Sequence, residues 1–288
     1  MEAAPVTQDV DALRSELRRM WSGVAPAWEA HAAYADARGE VVTAALLELT
    51  GPQPGERVLE LAAGPGAVGL AAADLVGPDG EVVVSDVVPE MTAIARRRAE
   101  ERGLTNVRAR DLDLEGIDEP DGAYDVVVCR EGLMLVPDPL LAAREIRRVL
   151  RPRGRAGVAV WGPREQNPWL AVMFEVVSDR LGEPVPPPGI PGPFSLDDAG
   201  RLAGVLDAAG LGGVEVREVP TPYVAATVEE WWTRSAALAG PLAARLAALP
   251  EPARRALVDR AGAAISRYRT TDGLEIPGLS LVAGARRV

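Results

Sequence analysis

The fold of this chain is decided by the stretch Val58-Leu59-Glu60-Leu61-Ala62-Ala63-Gly64-Pro65-Gly66-Ala67-Val68-Gly69-Leu70. It begins as an apolar run that contains an acid, Glu60, passes into a glycine-rich turn, and continues as a small, apolar helical sequence. In the order strand, glycine turn, helix, backbone N–H groups and a helix N-terminus face a ligand at close range. Glycine at positions 64 and 66 permits positive φ and lets a ligand approach the backbone. The stretch therefore predicts a cofactor site.

The composition excludes several classes of protein. Of 288 residues, 48% are hydrophobic and 25% are charged, which is typical of a globular protein. The net charge of −11 argues against a nucleic-acid partner, because proteins that bind phosphates carry basic surfaces. All 31 basic residues are Arg, which excludes Schiff-base chemistry, a P-loop lysine and a lysine base.

Cysteine and histidine usage narrows the chemistry further. The single cysteine, Cys129, cannot form an intrachain disulfide, and the single histidine, His31, leaves little for a zinc site, so no metal is expected. The first five residues lack the pattern of a signal peptide, and no apolar run approaches the ~20 residues of a membrane span. The sequence therefore predicts a cytoplasmic protein with no membrane partner, and a homodimer stays open.

Strand and helix patterns alternate between residues 57 and 162, as in a parallel α/β fold. Helices are predicted over 7–50, and the proline-rich segment 184–193 is predicted to be a surface loop. The predicted strands cover 58–61, 82–86, 106–110, 124–129, 155–161, 214–219 and 280–285, with a helical insertion at 227–268. We expect one structural domain in three parts: a helical N-terminal cap (1–50), a cofactor-binding core (51–162), and the rest of the sheet with helical substrate-side insertions (163–288).

The glycine loop has two interpretations. Residues 64–69 satisfy the pattern G-x-G-x-x-G, and Asp86 ends the next predicted strand, a combination that also describes a dinucleotide site. Against that interpretation, the acid Glu60 would repel a pyrophosphate, whereas it suits an ammonium group. The chain also lacks a lysine for hydride chemistry, and it continues into further strands of one sheet instead of a separate substrate domain.

The run 58–70, taken with Ser85-Asp86-Val87-Val88-Pro89-Glu90-Met91, resembles class I S-adenosylmethionine-dependent methyltransferases. The likeness is closer to small-molecule enzymes related to the ubiquinone/menaquinone biosynthesis methyltransferases, and segments 124–129, 138–139 and 145–154 share it. Two departures are Glu60 in place of the commoner Asp, and Pro65, which removes an N–H from the loop. The expected fold is a Rossmann-like three-layer sandwich with a seven-stranded, mostly parallel sheet, an antiparallel last strand, and helical cap segments at both ends.

The resemblance also implies the cofactor, S-adenosylmethionine, its product S-adenosylhomocysteine, and the residues that bind it. Glu60 would contact the methionine end, Asp86 would accept hydrogen bonds from the ribose hydroxyls, and Met91 would pack against the adenine. Structural alternatives stay open for several of these residues. The glycines can serve only to reverse the chain, Asp86 can be a helix N-cap, and Met91 can fill the core. The full predicted set is Glu60, Ala62, Gly64, Gly66, Asp86, Val87, Met91, Asp111, Leu112 and Arg130.

Aromatic side chains in the flanking segments suggest where a methyl acceptor binds. The predicted acceptor residues are Trp28, Tyr34, Trp161 and Trp169, which favour a flat or apolar molecule, although large aromatics are also common in cores. His31 is the candidate general base, with a structural or surface role as the alternative.

The sequence thus predicts methyl transfer to an O or C atom of a small, aromatic or polyketide-like acceptor. The alternatives are an NAD(P)-dependent oxidoreductase, or a protein of the same fold that binds the cofactor and catalyses another reaction, such as a cyclisation.

Overall fold

The computed structural model describes residues 10–288. Two helices open this part of the chain, α1 (Val10–Ala30) and α2 (Ala32–Thr50), so the helical prediction for 7–50 agrees from residue 10 onward, and residues 7–9 lie outside the described part. Helix α1 buries Leu13 and Leu17, four residues apart and therefore on one face. Helix α2 ends at Gly51, whose left-handed backbone (φ 51°) suits glycine and stops the helix.

Alternating strands and helices follow. The first half comprises β1 (Arg57–Leu61), α3 (Ala67–Val76), β2 (Glu81–Asp86), α4 (Pro89–Glu101), β3 (Val107–Asp111), β4 (Tyr124–Arg130), α5 (Pro139–Val149) and β5 (Leu150–Trp161). The second half comprises α6 (Pro168–Leu181), α7 (Ala199–Ala208), β6 (Leu211–Pro220), β7 (Tyr223–Ala225), α8 (Val228–Leu238), α9 (Gly240–Ala247), α10 (Glu251–Ile265), β8 (Arg269–Thr270), β9 (Gly273–Ile276) and β10 (Leu279–Arg287). Within this part of the chain, every helix is too short or too polar to cross a membrane.

The main sheet has seven strands in the order β3-β2-β1-β4-β5-β10-β6. Strands β1 to β5 run parallel, whereas β10 pairs antiparallel with both β5 and β6. The predicted seven-stranded, mostly parallel sheet with an antiparallel last strand is confirmed. The chain leaves β1 in one direction to β2 and later returns to its other side with β4. A crevice therefore opens at the carboxyl ends of these strands, where open α/β sheets bind their ligands.

The sheet is buried where helices cover both of its faces. Residues 124–129 of β4 are all buried, which explains the uninterrupted apolar run in their sequence. Strand β3, at the edge, keeps partly exposed charged residues instead. The apolar core therefore fixes the central strands, whose carboxyl ends carry the site.

Two details differ from the sequence prediction. Strand β5 begins at Leu150, which pairs with Tyr124, and a shift of register between Tyr124 and Val126 accommodates the extra residues before 155. A small second sheet, β7-β9-β8, was not predicted because its strands have only two to four residues, too few for a visible alternation.

Candidate functional site

The glycine loop between β1 and α3 turns through left-handed backbone. Ala62, Gly64 and Gly66 have φ of 49°, 53° and 86°. The Gly64 N–H donates to Asp86, and the Gly66 N–H donates to the Ala63 carbonyl at 2.9 Å. A Cβ at Gly64 would have no described protein atom within 4 Å, so the missing side chain leaves open space on the ligand side. This is the geometry of a loop that a ligand approaches closely.

Gly66 has the positive φ that the sequence predicts, and its missing side chain also allows two protein segments to pack closely. A Cβ there would lie 3.0 Å from the Ala95 Cβ and 3.1 Å from the Val84 Cγ1. Gly66 caps α3 and lets α4 pack against the loop, and it is not on the cleft lining. Its contact with the cofactor stays a prediction, while the close approach that the structure shows at Gly66 is between protein segments.

Glu60, near the end of β1, holds the start of α3 through two hydrogen bonds. Its Oε1 accepts from the Val68 N–H at 3.2 Å and its Oε2 from the Gly69 N–H at 2.7 Å, so both oxygens lie at the N-terminus of α3. Burial raises the pKa of Glu60 to about 7, although the two backbone donors act in the opposite direction. Gly69 is required here, since a Cβ would lie 2.7 Å from the Glu60 Oε2. The acid also borders the cleft.

Asp86 closes the other side of the loop. Its Oδ2 accepts from the Gly64 N–H at 2.9 Å and its Oδ1 from the Val88 N–H at 3.0 Å. Burial raises the pKa of Asp86, while these backbone donors favour the ionised form. A carboxylate oxygen has two lone pairs, so each can still accept from a ligand hydroxyl.

A cleft of about 1160 Å³, counting its open mouth, runs along these groups at the carboxyl ends of β1, β2 and β4. We call it the cofactor cleft. Eight of the ten predicted cofactor residues line it: Glu60, Ala62, Gly64, Asp86, Val87, Met91, Leu112 and Arg130. Their role in binding stays a prediction, but the fold does bring them together.

Asp111 is the second predicted residue outside this lining. It is exposed, and its Oδ1 accepts from the Thr92 hydroxyl at 2.5 Å. Asp113 lies on the lining together with Leu112. Asp111 belongs to the last paired position of β3, where its side chain contacts Thr92 of α4. Its contact with the adenine stays a prediction.

A second cavity of about 970 Å³, again with its mouth, lies beside the cleft, and we call it the aromatic cavity. All four predicted acceptor residues line it: Trp28, Tyr34, Trp161 and Trp169. The Trp161 and Trp169 ring centroids are 5.1 Å apart edge to face, and Trp169 stacks on Tyr223 at 5.5 Å. Pro193, from the loop predicted to be a surface excursion, also reaches this lining, and nearby Val185 is buried.

The two cavities share a wall at the carboxyl end of β4. Arg130, Glu131 and Leu135 line both, as do Trp21 and Trp28 of α1. Glu131 has left-handed backbone (φ 59°), and its N–H donates to the Ala159 carbonyl at 2.7 Å. Burial raises the pKa of Glu131, and the positive charges of Arg130 and Arg38 oppose that rise. A carboxylate thus stands between the cofactor cleft and the aromatic cavity.

His31 does not belong to this arrangement. It lies at the junction of α1 and α2, is half-buried, and lines neither cavity. Its backbone N–H continues the helical pattern by donating to the Ala27 carbonyl at 3.0 Å. The role of His31 as general base stays a prediction, but its position outside both linings favours the structural or surface role that the sequence left as the alternative.

The sequence reasoning assigned Glu131, Arg38 and Tyr223 to neither site, and all three line the aromatic cavity. Arg38 follows Tyr34 by four positions, so both lie on one face of α2, and the periodicity could have found it. Glu131 directly follows a buried parallel strand, the position where such folds place functional groups. Tyr223 lies in a three-residue strand and gives no comparable signal.

The strand order, the antiparallel β10 and the glycine loop after β1 together define the class I methyltransferase fold. Residues 52–167 match the family model described as a methyltransferase domain, and this match supports a class I S-adenosylmethionine-dependent methyltransferase. The chain is 38% identical over 133 residues to the ubiquinone/menaquinone biosynthesis C-methyltransferase UbiE of Ectopseudomonas mendocina, covering 46% of this chain and 52% of that protein.

A second relative is the nocamycin O-methyltransferase of Saccharothrix syringae, 35% identical over 184 residues, covering 60% of this chain and 65% of that protein. The chain thus spans about half to two thirds of these curated relatives. Among solved structures, the [4+2]-cyclase SpnF shares the fold with a TM-score of 0.52 at 23% identity, covering 86% of this chain and 80% of that one.

The residues present fit the family's cofactor, S-adenosylmethionine. The open space at Gly64 admits a ligand to the backbone, Asp86 retains lone pairs for hydroxyl donors, and Met91 offers a buried apolar surface at the same cleft. Glu60, when ionised, supplies negative charge near the loop, which suits a cationic ligand better than a pyrophosphate.

Proposed function

We propose that this chain transfers the methyl group of S-adenosylmethionine to an O or C atom of a small, aromatic or polyketide-like molecule. The observation that carries the proposal is the shared wall. A cleft with the family's glycine loop and acids opens beside an aromatic cavity, and both are bordered by Arg130 and Glu131. Donor and acceptor bound on either side of this wall would lie next to each other, as an in-line displacement requires.

The protein's contribution to such a reaction is binding, alignment and exclusion of water. When bound, S-adenosylmethionine supplies a methyl group activated by a positively charged sulfur. Gly64 and Asp86 would hold it in the cofactor cleft, and the Trp28 ring, which borders both cavities, would keep water from their junction. The Trp28 Nε1 donates to the Leu238 carbonyl at 3.2 Å, which fixes this ring between α1 and α8.

Glu131 takes the place that the sequence suggested for His31. In our proposal one of its carboxylate oxygens accepts the proton from an acceptor hydroxyl. Within residues 10–288 its carboxylate has no hydrogen-bond or ion-pair partner, so it keeps its accepting capacity. Its raised pKa brings it closer to neutral pH, where general bases are most effective.

The relatives leave the acceptor atom open, since one is named a C-methyltransferase and the other an O-methyltransferase. Both names are compatible with a flat acceptor that carries an oxygen next to a nucleophilic carbon. The same proposal includes a small-molecule acceptor as the partner, a cytoplasmic location and a homodimer as the oligomeric state to be tested.

A product screen tests the proposed function. Purified protein is incubated with S-adenosylmethionine and metabolite extracts, and mass spectrometry searches for masses increased by one methyl group. One S-adenosylhomocysteine formed per methylated product supports methyl transfer. Conversion of an acceptor without S-adenosylhomocysteine would identify the alternative, a cofactor-binding protein of this fold with another reaction.

Thermal stabilisation by cofactors distinguishes a methyltransferase from the remaining alternative, an NAD(P)-dependent oxidoreductase. Ligand that binds the folded state raises the unfolding midpoint by mass action. S-adenosylhomocysteine should raise it, whereas NAD⁺ and NADPH at the same concentration should not. Stabilisation by a nicotinamide cofactor instead would overturn the proposal in favour of an oxidoreductase.

A further inference from the structure

The aromatic cavity holds a guanidinium among three rings. The Arg38 Cζ lies 3.9 Å from the Trp169 ring centroid, 4.8 Å from that of Trp161 and 5.1 Å from that of Tyr223. Rings stabilise a cation through their faces, but they accept no conventional hydrogen bond from its edge. The edge donors of Arg38 therefore need other partners.

Those donors are incompletely used. The buried Arg38 Nε has no hydrogen-bond partner, and the Nη2 reaches the Thr221 carbonyl only at a long 3.5 Å. Within residues 10–288, Arg38 forms no ion pair with a carboxylate. A guanidinium presents five N–H donors in a fixed plane, and the long Nη2 contact to Thr221 is the only hydrogen bond that Arg38 makes among the described residues.

Other unpaired polar atoms line the same cavity. Six buried side-chain polar atoms in the described chain lack a hydrogen-bond partner, and four of them belong to residues of this lining: Tyr34 Oη, Arg38 Nε, Tyr223 Oη and Ser235 Oγ. The two tyrosine hydroxyls lie near each other without completing a well-formed hydrogen bond. Buried polar groups in native proteins are almost always paired, so a cluster of unpaired donors indicates a ligand that completes them.

The charge of the lining has a definite sign. Its charged residues are Arg38, Arg130 and Glu131, two positive and one negative, for a net charge of +1 when Glu131 is ionised. Arg130 is already engaged, because its Nη1 donates to the Thr43 hydroxyl at 2.9 Å and the Gly39 carbonyl at 3.4 Å. Arg38 has no carboxylate in ion-pair contact among the described residues, although Glu131 acts on it from a greater distance. One anionic oxygen would balance the excess positive charge of the lining.

We propose that the acceptor binds in the aromatic cavity through a negatively charged oxygen held by Arg38, which makes it an enol, a phenol or a carboxylic acid attached to a flat ring. The inference rests on the proposed function and names its substrate class. Arg38 binds the oxygen, the Tyr34 or Tyr223 hydroxyl donates a second hydrogen bond, and the stacked rings cover the apolar part. The competing explanation is that Arg38 only packs the three rings together.

Calorimetric titration of two matched pairs of probes tests the inference: 4-hydroxycoumarin against coumarin, and benzoate against benzamide. Each pair differs mainly in an ionised oxygen. The protein, saturated with S-adenosylhomocysteine at pH 8, should bind the anionic member of at least one pair tenfold or more tightly than the neutral member. The pair that shows this preference distinguishes an enol-type acceptor from a carboxylic acid.

Arg38→Gln should reduce that preference to less than threefold. Arg57→Gln is the matched control, because the Arg57 Cζ also lies over an aromatic ring, 5.1 Å from the Tyr124 centroid, but Arg57 pairs with Glu81 and lines neither cavity. It should retain the preference. Arg38→Lys, which keeps a charge without the planar fork, should retain part of it.

Equal affinity within both pairs, or no binding of any probe to the wild-type protein, would overturn the inference. So would an unchanged preference in Arg38→Gln, which would show a packing role alone. Titration with S-adenosylhomocysteine is measured separately on every variant. If the wild-type protein does not bind S-adenosylhomocysteine, the proposed function itself is contradicted. Failure of the proposed function is therefore distinguishable from failure of the inference about Arg38.

Discussion

Substitution of Gly64 by Ala tests whether the glycine loop touches the cofactor. Gly64 has φ 53°, and an added Cβ would have no described protein atom within 4 Å, so the methyl group would stand in the cofactor cleft. The folded protein can accommodate this group, whereas a ligand lying against the loop backbone cannot. The expected effect is therefore a loss of cofactor affinity that exceeds any loss of stability.

Both effects have a calculable size. An L-residue in left-handed backbone costs roughly 1–2 kcal/mol. For a chain of this size, that lowers the unfolding midpoint by roughly 2–8 °C. Displacing a charged group of the ligand from one backbone hydrogen bond costs about 1.5–3 kcal/mol. The dissociation constant of S-adenosylhomocysteine should therefore rise by about 10- to 150-fold.

Gly182→Ala provides the matched control. Gly182 ends α6 with φ 72° and ψ 15°, an added Cβ would again meet nothing within 4 Å, and the residue lines neither cavity. Thermal unfolding should show similar destabilisation of the two variants, whereas calorimetry should show weaker binding for Gly64→Ala alone. Equal binding by both variants would refute the reasoning and remove the loop from the site.

Three further substitutions probe the acids. Asp86→Ala should weaken S-adenosylhomocysteine binding by ~2–4 kcal/mol through the loss of two charge-assisted contacts, while Asp74→Ala, an exposed partner of Arg102, should not; an unchanged dissociation constant would exclude Asp86. Glu60 has its pKa raised from 4.5 to about 7, so the folded state holds a proton that the unfolded state releases, and stability falls as pH rises through this range. The free energy of unfolding should fall by about 3 kcal/mol, which urea unfolding at pH 5 and pH 8 measures. In Glu60→Gln this part of the pH dependence should be absent. Glu131→Gln should lower kcat by about 10²-fold or more with little change in cofactor affinity, and it should remove the acidic limb of the pH–rate profile. The control Glu29→Gln should retain that limb. An unchanged limb in Glu131→Gln would exclude Glu131 as the base.

Local patterns in the sequence were sufficient for the core of the fold. Glu60, the glycines after it and Asp86 lie within about 30 residues, and strand–turn–helix geometry fixes their positions without help from distant segments. Gly66 and Asp111 show the limit of this reasoning. Their side of the backbone depends on how α4 packs, through Ala95 and Thr92, and a motif does not contain that information.

The aromatic cavity was predictable in its residue types but not in its electrostatics. Trp161 and Trp169 flank a strand end and a helix start, so their proximity could be expected. Arg38 and Tyr223 meet them only because α2 and β7, about 185 residues apart, pack against the same region. His31 was predicted to be the general base because it is the only imidazole in the sequence, but the carboxylate that lies beside both cavities is that of Glu131.

The origin of the two linings has an evolutionary consequence. The cofactor cleft draws its glycine loop and acids from β1, β2 and β4, whereas much of the aromatic cavity comes from α2, α6 and α8, which attach outside these strands. Under the proposed function, substitutions in the outer helices would reshape the aromatic cavity while the cofactor cleft stays constant. A lineage of such proteins would then change its acceptors at the periphery and inherit the methyl-donor site unchanged.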